Sequence, residues 1–455
     1  MLTKKLTACI VAGAMLVSSI GLVGCSKTNS GSGKGSANGV VNLTYTTWGS
    51  TNERKAQGDA IKEFEAKNPN IKVNFQHIPT DYETKLSTMI AAKTPPDVAL
   101  LNKQTALTWS EQNKIYNLKP LIDKDTEIKE DDYLHDSFVR GGPDKIVGIT
   151  PCQEVFAIFY NKDMFKAANV DPLPTKAQDA LTWDQFVEVA KKLTLDQNGK
   201  NASEAGFDPT KIKQYGVFFE TWAWQTFLVL NDAKLLTDDY SKLNLSDPAV
   251  AETLQKFADL INVYHVCPSP AQAKTLPAPA VALQSKKVAM DYDGQWIQLD
   301  LGVAKTNFDV GVLPKIKRCT TTLYGEVEAM FQGTKHSEEA FKLLKWMTNP
   351  EGVLDLDSSG LWMPSRKAYY TDPELINKWV IKPGHSDGFK DAVMNQALND
   401  SEPDVGYYLK NDNEIMNIMN SALDQLWMGK KTAAQVLKEI EPKAQAAYKG
   451  VYVNK

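Results

Sequence analysis

The chain has 455 residues, 43% apolar and 23% charged, with 51 basic and 55 acidic side chains and a formal net charge of -4. Apolar content at the globular level repays the entropy of ordering and excludes wholesale disorder, and the length predicts two or three lobes. The near-neutral balance, with no basic stripe to displace counterions from phosphates, excludes a nucleic-acid partner. Five cysteines (Cys9, Cys25, Cys152, Cys267, Cys319) make no CxxC pair or disulfide framework, and His77, His135, His265, His336 and His385 make no HExxH or HxH. Neither a metal site nor a cofactor is expected on that basis.

In chain order, Lys4 and Lys5 precede an uncharged apolar run from Leu6 to Gly24, which reads as an export signal because no stop-transfer cluster follows it. The sequence Leu22-Val23-Gly24-Cys25 resembles the lipobox of bacterial lipoproteins. That resemblance implies a signal peptide over 1–24 and a diacylglycerol on Cys25, and two acyl chains suffice for stable attachment. From Ser26 to Gly39 the Ser, Gly, Asn and Lys content predicts a flexible tether over 25–39. Within it, Gly31 to Ser36 fails the spacing of a phosphate loop.

The ordered body begins at Val40. Val41, Leu43 and Tyr45 alternate as a strand that ends at Trp48, and Ala56, Ala60, Ile61 and Phe64 then recur at helical spacing until Asn68-Pro69. Ile71, Val73 and Phe75 form a second strand, Tyr82 to Ala92 a second helix, and Pro96 to Leu101 a short buried third strand. Strands alternating with helices predict an α/β fold with a parallel sheet, whose ligand sits beyond the carboxyl ends of the strands, where Trp48 and Asn102 fall. Further on, the spacing predicts a strand over 155–160, helices over 162–168 and 183–193, an aromatic-rich core segment over 215–230 and a helix over 249–264. Strands over 287–292 and 308–313 follow, then a helix over 337–348 and mainly helical structure after Pro373.

Five blocks in order carry a resemblance. They are Phe64 to Val73, Pro96-Asp97-Val98, Gly148 to Phe165 followed by Leu181 to Phe186, Gly294-Gln295-Trp296, and Val312-Leu313-Pro314 followed by Ala340 to Gly352. Together they are similar to the extracellular solute-binding proteins of ABC importers, in the sugar-binding group that includes maltose-binding protein. The similarity runs from about Val41 to Tyr448. It implies a two-lobed fold of the type II periplasmic-binding-protein kind, each lobe a mainly parallel sheet flanked by helices, with a hinge and an interlobe cleft. Lobe one is then expected over 40–150 plus about 318–360, and lobe two over 151–317 plus about 361–455. The function implied is the membrane-anchored, monomeric substrate-binding component of an ABC importer. It would take a carbohydrate, an oligosaccharide above all, without catalysis, and hand it to permease subunits at the outer face of a Gram-positive cell membrane.

A sugar cleft needs aromatic faces for the apolar side of the pyranose and carboxylates or amides for its hydroxyls. Aromatics at strand ends are therefore the stacking candidates: Trp48, Trp296 in its Gly-x-Trp turn, Trp222, and Trp224, which would point the same way as Trp222 from an extended segment. By resemblance, Glu154, Asp97 and Glu220 are the expected hydroxyl readers, joined by Asp293, Asn102 and Gln104. Tyr407 and Tyr408 offer a further stacking surface, and Arg366 a bridge to ligand or lobe. Trp183, Trp346 and Trp427 lie on helix patterns and are assigned to packing. The rival readings are a glycosidase, with Glu326 and Glu328 two apart in a strand, and a binding protein for a non-sugar solute. The glycosidase is disfavoured because an acid and a nucleophile must flank the scissile bond rather than share one side of it.

Overall fold

The computed structural model of the chain describes residues 39–134, 136–380, 384–404 and 408–452. The signal, the tether up to residue 38 with Cys25, and Tyr407 lie outside the described residues. Residues from Val40 onward form one compact unit.

Two sheets organise it. The first takes β1 (Val41–Thr47), β2 (Ile71–His77), β3 (Val98–Leu101), β4 (Phe138–Gly142), β5 (Lys145–Ile149) and, from far along the chain, β12 (Val327–Met330), in the order β2-β1-β3-β12-β5-β4. Its first three strands are parallel, connected by the helices α1 (Thr51–Lys67) and α2 (Tyr82–Ala91), as their sequence pattern predicted. The second sheet is built on β6 (Cys152–Asn161), β8 (Ile212–Phe219), β9 (Val288–Gly294) and β11 (Thr321–Tyr324). Shorter strands complete it: β7 (Leu195–Asp196), β10 (Phe308–Gly311), β13 (Met363–Pro364) and β14 (Ser401–Pro403).

The α/β class with helix-flanked sheets is as expected, but the sheets are mixed rather than mainly parallel. In the second sheet only β8 with β9 and β11 with β14 run parallel, while β6 pairs antiparallel with β9, β10, β11 and β13. The cause is that β10, β11 and β13 return to β6 from the opposite direction, and β12 does the same to β3 in the first sheet. Strand β11 belongs to the second sheet, so the chain passes back to the first one at Gly325-Glu326 rather than at Arg318.

Continuous apolar runs are buried on both faces, which is why they lack a simple alternation. In β6, Phe156, Ile158 and Tyr160 enter one core while Val155, Ala157 and Phe159 enter another. In β3, Val98 and Leu100 face one side and Ala99 and Leu101 the other. The connections between the sheets pack together. Gly325, at φ +153°, lies so near that a Cβ there would come within 2.6 Å of the Cys152 carbonyl oxygen. Cys152, Cys267 and Cys319 are all buried free thiols.

Candidate ligand-binding site

A cavity of about 650 Å³ lies beyond the carboxyl ends of β1 and β3 and extends to the aromatic surface of the second sheet. From the first sheet it is lined by Trp48, Tyr82 and Asn102, and by Glu53 and Gln57 of α1. Ser50 caps α1 by accepting the Glu53 amide hydrogen, and Glu53 Oε1 accepts the Ser50 amide hydrogen at 3.0 Å. Such a capping box is legible in sequence, but it explains only half of this residue. The Glu53 carboxyl also walls the cavity, and burial, with Asp300 and Glu326 nearby, pushes it up to about 7 against the pull of its bond to Ser50. Tyr82 donates its hydroxyl to the Thr46 and Leu100 carbonyls, both at 2.9 Å, and its ring meets Trp48 edge-on at 5.0 Å. Asn102 donates to Glu83 Oε1 at 3.1 Å, and Thr105 does so at 2.5 Å.

The opposite wall is organised around one buried ring. Phe156 of β6 is 1% exposed and holds three cavity aromatics edge-on: Trp296 at 5.4 Å, Trp222 at 6.2 Å and Tyr324 at 6.2 Å. Trp296 folds back over its own turn because position 294 is glycine; a Cβ there would lie 2.1 Å from the indole. Trp222 is 47% exposed, an unusual state for tryptophan that leaves its face open. Between the walls stand Glu154 of β6 and Glu326 of the connection between β11 and β12. Glu154 is buried, and no donor reaches its Oε2. Burial pushes the Glu154 carboxyl well above the ordinary range, and the charge on Glu326 pushes it further. Burial raises Glu326 as well. A second cavity of about 200 Å³ shares Glu83, Asn102, Trp222 and Tyr324 with the first, and Gln104 and Asn420 help to line it.

The structure therefore brings Trp48, Asn102, Glu154, Trp222 and Trp296 to one cavity. Other expected residues fall elsewhere. Trp224 is buried and donates to Asn420 at 2.9 Å, because Thr221–Ala223 is a 3₁₀ turn running into a helix, so residues two apart diverge instead of sharing a face. Asp97 precedes β3 at the end away from the cavity, and its oxygens are taken by the Thr44 amide (2.8 Å) and the Thr334 hydroxyl (2.6 Å). Arg366 donates to the Tyr133 hydroxyl at 3.2 Å and stacks over that ring, tying two loops together. Asp293 and Glu220 are absent from the lining. The Asp293 carboxyl accepts the Gly294 amide hydrogen at 2.7 Å, and burial pushes it up to about 7, with the Glu220 charge adding to the rise. Tyr408 lines a separate cavity. Trp183 and Trp427 are buried in the core, and Trp346 donates to the Ala60 carbonyl, as packing roles require. Glu328 is buried in β12 with Tyr45 donating to it at 2.6 Å, so it does not share the cavity with Glu326.

Sequence reasoning missed Glu53, Gln57, Tyr82, Tyr324 and Trp362, all of which line the cavity. Tyr324 ends a strand and Glu326 follows it closely, so the strand-end rule that found Trp48 reaches them as well. Gln57 and Trp362 carry no local signal.

Two helix-flanked mixed sheets with a ligand-sized, aromatic and carboxylate-lined cavity at their strand ends define a binding protein for a small solute. The chain belongs to the bacterial extracellular solute-binding protein family, whose sequence pattern matches residues 59–383. Among curated relatives, the arabinooligosaccharide-binding protein of Bacillus subtilis is 27% identical over 59% of this chain and 57% of its own length. The multiple sugar-binding protein of Streptococcus mutans is 23% identical over 74% of this chain and 82% of its own. In structure, an ABC substrate-binding protein of Listeria monocytogenes in complex with cycloalternan superposes with a TM-score of 0.77 at 23% identity, covering 89% of this chain and 98% of that one. Maltose-bound T. maritima MalE3 gives 0.72 at 20% identity, covering 89% and 99%. These likenesses fix the fold. The family and its neighbours are binding proteins rather than enzymes, and no helix among the described residues is long and apolar enough to cross a membrane.

Proposed function

We propose that the protein captures a carbohydrate, most simply an oligosaccharide, in this cavity and delivers it to the permease of an ABC importer. The observation that carries the reading is the Phe156 platform. One buried ring presents Trp222, Trp296 and Tyr324 toward Trp48 and Tyr82 across the cavity, with Glu154, Asn102 and Gln57 between them as hydroxyl partners. Rings on two sides with hydrogen-bonding groups between them suit a pyranose, whose two faces are apolar and whose edge is polar. The relatives named for arabinooligosaccharides and multiple sugars support the same class of ligand.

In this reading the residues around the first sheet, 40–150 and about 325–362, form one lobe, and the remainder of the body forms the other. Closure of the two upon the ligand is what the permease recognises. Acylation at Cys25 holds the protein at the outer face of the membrane. The test is a tryptophan-fluorescence titration of the body from Val40 onward against a panel of oligosaccharides. A saturable change without any hydrolysis product is expected. Product formation would convert the reading to an enzyme, and a panel without a single binder would remove the carbohydrate.

A further inference from the structure

The charges around the cavity are one-sided. Among the described residues that line it are five carboxylates (Glu53, Asp81, Glu83, Glu154 and Glu326) and no lysine, arginine or histidine. Some of these acids are already engaged: Glu53 caps α1, and Glu83 accepts from Asn102 and Thr105. Glu154 is different. It is 3% exposed and reaches the cavity, and its Oε2 has no hydrogen-bond donor. The Cys152 thiol is a weak donor 3.8 Å from Glu154 Oε1 and 3.6 Å from Glu326 Oε2, and the three side chains hold possible ligand atoms within 4.8 Å of one another. Lys103 is buried, and its charge lowers the affinity of Glu326 for a proton, but it is not part of the lining. Asp300 faces Ser50 and Asn52 at the entrance to α1 and adds negative charge there.

Two adjacent carboxylates, Glu154 buried and Glu326 partly so, carry more negative charge than the one lysine near Glu326 offsets, which is costly unless a proton or a ligand charge compensates it. A neutral hydroxyl donates one hydrogen and leaves the charge in place. An alkylammonium group brings one positive charge and three donors, and the aromatic faces around it add cation–π attraction. A divalent ion suits the group less well, because burial pushes the Cys152 thiol well above its ordinary range and leaves it a neutral ligand.

We propose that the solute carries an alkylammonium group that sits between Glu154 and Glu326. Combined with the carbohydrate reading, on which this step rests, the ligand is an amino sugar with a free amine rather than a neutral, N-acetylated or anionic sugar. In the unliganded protein a proton bridges the two carboxylates, and the ammonium displaces it.

The test is calorimetry with the full mature chain against matched pairs that differ only in a free amine. The pairs span mono- to trisaccharides in α and β linkage, with N-acetyl forms alongside and spermidine as a non-sugar amine. The expected result is at least tenfold tighter binding of the amine member of a pair, with proton release seen as a buffer-dependent heat at pH 7. Glu154→Gln should cut the amine-to-neutral affinity ratio at least tenfold. Glu326→Gln gives the same readout should the first variant fold poorly. Equal or tighter binding of the neutral member overturns the ammonium assignment and leaves the carbohydrate reading intact. Binding of spermidine with no sugar of either kind overturns the amino sugar together with the carbohydrate reading. Failure of every probe overturns both.

Discussion

Phe156 is buried, yet it sets the positions of Trp222, Trp296 and Tyr324 through edge-on contacts of 5.4 to 6.2 Å. Each such contact is worth about 0.5–1.5 kcal/mol beyond its buried area, and its greater effect here is to fix ring orientation. Trp296→Ala is expected to weaken ligand binding at least tenfold, the behaviour of an interface anchor, while Trp224→Ala should act on thermal stability through the core. Unchanged affinity in a fluorescence-independent titration of Trp296→Ala would remove that ring from the site. A second residue-scale prediction concerns protons. Burial pushes Glu328 up to about 8, and Glu53 and Asp293 up to about 7, against ordinary values in the unfolded chain of about 4.3 for glutamate and about 3.9 for aspartate. The folded state then holds these protons more tightly than the unfolded chain. Their contribution is complete below about pH 4.5 and is lost as pH rises through about 7 to 8. The melting temperature should therefore fall between pH 5 and pH 8. Glu328→Gln, which can keep a bond to Tyr45, should flatten that fall; an unaltered slope in thermal melts would contradict the assignment.

At the scale of elements, α1 and the connection between β11 and β12 show how local structure serves the cavity. The first turn of α1 places Glu53 by a capping box, and the connection places Glu326 by packing Gly325 on Cys152. Gly325→Ala puts a methyl group 2.6 Å from a backbone carbonyl at a positive φ. That cost, on the order of 1–3 kcal/mol, should appear as a lowered melting temperature, and displacement of Glu326 should appear as weaker ligand binding in the same preparation. The parallel order of β1 to β3 was legible because α1 and α2 are amphipathic and separate the strands at regular intervals. The antiparallel pairing of β6 with four partners was not, since all of them are distant in sequence. The same limit explains Trp224. An aromatic-rich run suggests an extended segment, but Thr221 to Asn231 passes through short helical turns that send Trp222 to the cavity and Trp224 to the core.

For the whole molecule, the first and second sheets each contribute one wall of the cavity, and the proposed capture predicts that ligand draws them together. Ligand that stacks on Trp296 and Trp48 at once should reduce the radius of gyration measured by small-angle scattering. A binder that leaves the radius unchanged would show that closure is not part of capture. The proposed anchoring at Cys25 belongs to the same scale. Replacing Cys25 with serine should release the protein into the medium without altering the affinity of its body, a result read by fractionation and titration of the released form.

Composition, the order of α1 and α2 between β1, β2 and β3, and the loop positions of Trp48, Asn102 and Trp296 were set by the sequence alone, because each rests on local periodicity or on residues at strand ends. The tertiary structure decided which carboxylates face one another. Glu53, Glu154 and Glu326 are separated by 101 and 172 positions, and no local pattern couples them. It also decided that Asp97 and Arg366 are consumed by structural bonds while Tyr324 and Gln57 reach the cavity. Burial and pairing depend on the meeting of distant segments, and only there is a carboxyl group taken out of water and its hold on a proton strengthened.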